Sequence, residues 1–234
     1  MYKYTLLVFL LLGACAAQTQ QPSPTVEASV APGINKAFVS PSLNTDEWAD
    51  RFTGESREVH TARFAVLETI GLNKGSSIAD VGAGTGLYVK LFAETVGSTG
   101  KVYAVDISEK FLKFIDENAS ADGLTNVETV LGEDRTTKLP NASVDFIFHS
   151  DTYHHFEFPA AMNADMLRAL RSGGEMLVLD FERIPGVTSE RLLEHVRAPK
   201  ETVITEIEAS GFVLIEEINL PDLKENYLLR FKKP

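Results

Sequence analysis

Cysteine is almost missing: Cys15 is the only one in 234 residues. That excludes a disulfide framework and any cysteine-built zinc site. Cations are scarce as well, with 22 Lys and Arg against 33 Asp and Glu and a formal net charge of −11. A nucleic-acid backbone demands clustered Lys and Arg, so nucleic acid is excluded as a partner, and small molecules are the expected ones. No internal repeat is visible. What the chain does have is an apolar fraction of 44%, enough for a sizeable core and too much for global disorder. At roughly 150 residues per domain, the length allows one domain with appendages.

The longest apolar run, Tyr4 to Ala17 behind Lys3, is too short to cross a bilayer core of about 30 Å as a helix. It fits a cleavable export signal. Its end, Leu12-Gly13-Ala14-Cys15, resembles a bacterial lipobox. That resemblance implies a signal peptide over 1–14, acylation of Cys15 and anchoring in a lipid bilayer by several acyl chains. Ala16, rather than Asp, follows the cysteine, which by the same resemblance implies the periplasmic face of the outer membrane. Residues 15–44, rich in Gln, Pro, Ser and Thr, read as a flexible tether. The globular domain is expected over 45–234.

Thr45 to Ile70 carries a helical pattern that Gly54 divides into two helices. Beyond it, short apolar runs alternate with amphipathic stretches. Strands are expected at Ser77–Val81, Lys101–Val105, Val127–Leu131, Val144–Ser150 and Glu175–Asp180, with helices at Leu87–Val96, Glu109–Asp122, Pro159–Leu170 and Pro199–Ser210. Such alternation calls for an α/β fold with a mostly parallel sheet wrapped on both faces. Phe212–Ile218 and Asn226–Lys232 are separated by too few residues for a crossover helix, so they should pair antiparallel as a terminal hairpin.

The most informative stretch is Asp80-Val81-Gly82-Ala83-Gly84-Thr85-Gly86, where a strand hands over to a helix. Glycines let the backbone turn sharply and approach a ligand, and the next helix offers free N–H groups. Asp106 closes the following strand, where an acidic side chain can accept hydrogen bonds from ribose hydroxyls. Two ligands compete for this arrangement. A dinucleotide such as NAD needs a third small residue, and Leu87 stands there. S-adenosylmethionine carries a positively charged end that suits Asp80.

The pattern Asp-x-Gly-x-Gly-x-Gly, with the acidic strand end and the terminal hairpin, resembles the class I S-adenosylmethionine-dependent methyltransferases from about Arg57 to Lys232. Thr152-Tyr153-His154-His155-Phe156 and Val178-Leu179-Asp180-Phe181-Glu182 are similar to an exported bacterial branch of that family. The resemblance implies a Rossmann-like fold with strand order 3-2-1-4-5-7-6, S-adenosylmethionine as cofactor, and an N-terminal helical lid involving Trp48, Phe52, Arg57 and His60. It implies cofactor contacts from Asp80, Gly82, Ala83, Gly84, Gly86, Asp106, Ile107 and Ser150, and an adenine contact from Glu133 or Asp134.

Methyl transfer from a sulfonium needs alignment above all, and a base only where the acceptor must lose a proton. His154, His155 and Asp151 sit where such a base would act, His154 ahead of His155, and Tyr153 is placed to help position it. Glu182 is expected at the same crevice or exposed, and His195 and Arg197 are placed to meet an anionic acceptor group or to form a solvated turn. No histidine pair has the spacing of a recognised metal site, so no metal is expected. The competing function is a non-catalytic lipoprotein that binds an adenosyl ligand; an NAD-dependent oxidoreductase ranks behind it. The acceptor and the oligomeric state are not encoded in any motif.

Overall fold

The computed structural model describes Met1, residues 27–54 and residues 57–234. The leader, Cys15 and the first part of the expected tether lie outside the described residues.

Three helices, not two, precede the sheet: α1 (Thr45–Phe52), α2 (Glu58–Thr61) and α3 (Arg63–Ile70). Asn44 caps α1 by accepting the N–H groups of Asp46 and Glu47, and acidic residues in that first turn suit the helix dipole. The extra break has a cause in side chains. Tyr88 donates to the Val59 carbonyl at 2.9 Å and Arg63 to the His60 carbonyl at 2.6 Å, engaging oxygens at the turn where one continuous helix was expected.

The βα alternation follows as expected through β1 (Ser77–Val81), α4 (Val89–Val96), β2 (Lys101–Asp106), α5 (Glu109–Ala121), β3 (Val127–Leu131) and β4 (Val144–Ser150). Then come a single 3₁₀ turn (Tyr153–His155), α6 (Pro159–Ala169), β5 (Leu170–Phe181), α7 (Glu190–His195), α8 (Lys200–Ala209), β6 (Val213–Ile218) and β7 (Asn226–Lys232). The strands form one seven-stranded sheet, ordered β3-β2-β1-β4-β5-β7-β6. The first five are parallel neighbours, and β7 runs antiparallel to both β5 and β6. This is the strand order that the resemblance implied, terminal hairpin included. The strand expected from Glu175 starts earlier, at Leu170, and takes in Arg171-Ser172-Gly173-Gly174 as an irregularity: Val144 faces Leu170, and Phe146 already faces Glu175.

Alternation along the strands sends side chains to opposite faces and divides the core in two. Ala79, Ile147, Val178 and Leu229 pack with Met166 of α6 and Ile207 of α8. Ile78, Phe148, Leu177 and Leu228 pack with Val66 of α3 and Phe92 of α4. Burying each such side chain contributes about 1.5–3 kcal/mol, so the sheet is a rigid platform and its carboxyl-terminal edge a fixed reference for the loops above it.

The N-terminal stretch departs from the tether expectation wherever it is described. Glu27 accepts the Ala160 and Ala161 N–H groups at 2.8 and 2.9 Å, capping α6 from a distance in sequence. Val30 donates to the Glu157 carbonyl at 2.9 Å, Asn35 to the His155 carbonyl at 3.0 Å, and Lys110 to the Leu43 carbonyl at 2.9 Å. Residues 27–43 therefore form a strap across the domain. Its polar composition reads as linker, yet these polar groups have partners.

Candidate functional site

A cavity of about 980 Å³ opens above the carboxyl ends of β1, β2 and β4, where strand order reverses between β1 and β4. Such a switch point is where open α/β sheets take their ligands. Its floor is the glycine loop. Gly82 has φ +75°, and a Cβ there would lie 2.2 Å from the Thr152 side chain; Gly84 has φ +53°. Only glycine fits at Gly82, on both counts.

Asp106 fixes the loop to β2. Its Oδ2 accepts the Gly84 N–H and its Oδ1 the Ser108 N–H, both at 2.8 Å. A carboxylate has about four acceptor sites, so Asp106 keeps acceptor capacity for a ligand. Burial pushes Asp106 up to about 6, against the lowering effect of those N–H groups. Asp80, also buried, is pushed to about 8 by burial first and by the charge of Asp106 second. Two carboxyl groups under one glycine loop make a pocket with a strong appetite for a cation.

Asp80, Gly82, Ala83, Gly84, Asp106, Ile107, Glu133, Asp134 and Ser150 all line the cavity. Gly86 does not: its missing Cβ would come within 3.0 Å of Ile115 on α5, so it serves helix packing instead of ligand contact. Lys138 pairs with Glu133 at 2.8 Å, which leaves Asp134 the less engaged of the two acids. Trp48, Phe52 and Arg57 line the cavity as the lid expectation required, and His60 does not. The strap adds Phe38, whose ring meets Trp48 at 5.0 Å between centroids; Trp48 meets Phe52 at 5.2 Å. Strap and α1 thus close one side of the cavity with aromatic surface.

The candidate bases separate. Tyr153 is a correction: it is 1% exposed and off the main cavity. Its hydroxyl accepts from Asn163 at 2.8 Å and donates to Glu206 at 3.1 Å, so it anchors α6 and α8. Asp151 lines the cavity, but its oxygens are engaged, one by an ion pair with Arg57 and the other by the Asn226 amide at 2.7 Å. It ties the lid to β7, which is no position for a base. Glu182 and Arg197 lie outside too, paired with Lys200 at 3.3 Å and with Glu206 at 2.6–2.8 Å.

His154 is oriented from below. Its Nδ1 lies 2.7 Å from Asp180 Oδ1, and its backbone N–H donates to Asp180 Oδ2 at 3.1 Å. Burial opposes a charge on His154, but the Asp180 carboxylate holds the ring above its ordinary range. The sequence placed Asp180 in a motif without giving it a task. His155, from the same turn, and His195, from the end of α7, join His154 along the cavity wall, with ring centroids 4.3–5.0 Å apart.

Comparison with known proteins agrees with this geometry. A family model described as a methyltransferase domain matches residues 72–225. The ubiquinone/menaquinone biosynthesis C-methyltransferase of Pseudomonas fluorescens is 29% identical over 158 residues, which are 67% of this chain and 61% of that one. The chain thus spans about three-fifths of that curated relative's length. Among solved structures, a SAM-dependent methyltransferase from Aquifex aeolicus aligns with TM-score 0.72 and 24% identity, covering 82% of this chain and 100% of that one. The [4+2]-cyclase SpnF aligns with TM-score 0.63 and 15% identity, covering 75% and 82%. At these identities the structures speak for the fold alone, and the cyclase shows that one fold hosts different reactions.

Proposed function

The chain belongs to the methyltransferase domain family, and from that premise we propose that it transfers a methyl group from S-adenosylmethionine to a small-molecule acceptor by in-line displacement. The observation that carries this reading is Asp106, held by the N–H groups of Gly84 and Ser108 with acceptor capacity left beside a glycine cradle. An adenosyl ligand fits that set. A ribose offers hydroxyl donors to Asp106, an ammonium group suits Asp80, and the glycine backbone admits the ligand without Cβ obstruction. A dinucleotide fits less well, because Leu87 lines the cavity where a small residue is needed.

Bound there, S-adenosylmethionine supplies a methyl carbon already activated by its sulfonium. The chain's own residues bind and align. Asp80 would hold the ammonium end of the cofactor, Asp106 its ribose and Asp134 its adenine side, while Phe38, Trp48 and Phe52 exclude water. Orientation of this kind contributes up to about 7–11 kcal/mol. The acceptor lies against the histidine wall, and its activation falls to the cluster around His154. Transfer of labelled methyl from the cofactor to an extract of small molecules tests the reading and separates it from a non-catalytic adenosyl-binding protein, which would bind and transfer nothing.

For location, the proposal follows the sequence alone: Cys15 within Leu12-Gly13-Ala14-Cys15 is acylated and tethers the domain to the periplasmic face of an outer membrane. Incorporation of labelled palmitate, lost in Cys15→Ala, is the matching test.

A further inference from the structure

His154, His155 and His195 lie far from any recognised metal spacing in sequence, yet the fold brings one ligating nitrogen of each to within 4.8 Å of the others. Two stand in the 3₁₀ turn after β4, and the third arrives from the last residue of α7. The arrangement has three features of a metal centre. Asp180 holds Nδ1 of His154 at 2.7 Å, leaving Nε2 as the free nitrogen; a carboxylate behind a ligating imidazole is the usual orienting partner. Nδ1 of His155 is buried without a hydrogen-bond partner, an unsatisfied acceptor that a bound cation would engage. All three residues line the main cavity, so a coordination position is left facing it. Of the neighbouring guanidiniums, Arg57 is paired with Asp151 and Arg197 with Glu206, while Arg191, on the same helix as His195, opposes a metal there.

We propose that His154, His155 and His195 form a three-imidazole site for a divalent transition metal such as zinc, with an open position toward the acceptor side of the cavity. Three histidines and one vacant position form a familiar catalytic zinc set, and imidazole selects transition ions over magnesium or calcium. This reverses the expectation of no metal. It also makes His154 a ligand, leaving it no free nitrogen to serve as a base. Resting on the methyl-transfer reading for its role, the site further specifies the acceptor: a small molecule with an ionisable oxygen or sulfur donor that completes the coordination. Metal binding itself needs no cofactor.

The full-length chain, stripped with a chelator, is titrated with zinc alone by calorimetry, and its zinc edge absorption spectrum is recorded. The expected result is one equivalent bound, with about three imidazole nitrogens at roughly 2.0–2.1 Å. Affinity should fall at least tenfold in both His155→Ala and His195→Gln, the latter at the end of a short surface helix where folding is safe. It should hold in His60→Ala, at a residue that lies outside the cavity. No stoichiometric uptake, or a loss confined to one of the two ligand variants, overturns the site. Failure of cofactor binding in the wild type with zinc uptake intact would sink the methyl-transfer reading and leave the metal site standing.

Discussion

Gly84 donates its N–H to Asp106 Oδ2 across 2.8 Å, and that bond joins the ligand loop after β1 to the end of β2. The glycine loop and the acidic strand end are therefore one rigid unit. In Asp106→Asn the carboxamide loses one acceptor oxygen, so a buried N–H of the loop or a ligand hydroxyl goes unpaired. Hydrogen bonds to charged groups are worth about 1.5–3 kcal/mol. S-adenosylmethionine affinity should therefore drop at least tenfold by calorimetry, with the circular dichroism spectrum retained. An unaltered affinity would remove Asp106 from the site.

Gly82→Ala should be costly for two reasons that add. The residue sits at φ +75°, and the new Cβ would overlap Thr152 at 2.2 Å. Backbone strain and overpacking are each worth about 1–3 kcal/mol. Denaturant unfolding should show a loss of at least 2 kcal/mol, only partly restored by adding Thr152→Ala. A variant as stable as the parent would mean that the loop is not held in this conformation.

Stability should fall as pH rises from 7 to 9 in the absence of ligand. Asp80 ordinarily ionises near 3.8, and in the fold it is raised to about 8 by burial and by Asp106. The native state thus keeps a proton that the unfolded chain has lost, and this contribution disappears as pH passes through about 8. His149 and His155, which burial lowers to about 4 and about 3, act only below their ordinary range near 6.5, whereas His154, held above that range by Asp180, adds to the fall, so the comparison with Asp80→Asn isolates the share of Asp80. Urea unfolding at both pH values in wild type and Asp80→Asn checks the assignment: the slope should flatten in the variant, and an equal slope in both would place the titrating group elsewhere.

The Arg57–Asp151 pair links lid to sheet. Arg57→Ala leaves Asp151 buried with only the Asn226 amide. Breaking a buried pair costs about 3–5 kcal/mol, less here because Arg57 is partly exposed. A fall in melting temperature together with faster proteolysis near α1 is the expected outcome. Intact protease resistance would show that the lid is held without this pair.

The alternation of strands and helices, the terminal hairpin, the glycine loop and Asp106 were legible in the sequence because local rules govern them: strand periodicity, a short connection and an acid at a strand end; the sheet order was implied by the family resemblance alone. The departures have long-range causes. Tyr153 and Gly86 belong to motifs whose spacing is right, but α8 and α5 claim them for packing. The strap was hidden because partners such as Glu157 and Ala160 are distant in the chain, leaving only a polar, proline-bearing composition to read. Asp180 and His195 reach His154 through the fold, from β5 and α7. No local pattern announces such a meeting. The one sequence signal was the pairing of His154-His155 with an acid at the end of the next parallel strand.

Calorimetric titration of the purified chain with S-adenosylmethionine addresses the central claim most directly. The account predicts one cofactor bound per chain with a dissociation constant below the millimolar range, tightening between pH 7 and 9 as Asp80 ionises. No heat and no retained cofactor at millimolar concentration, from a chain whose melting is cooperative, would contradict it.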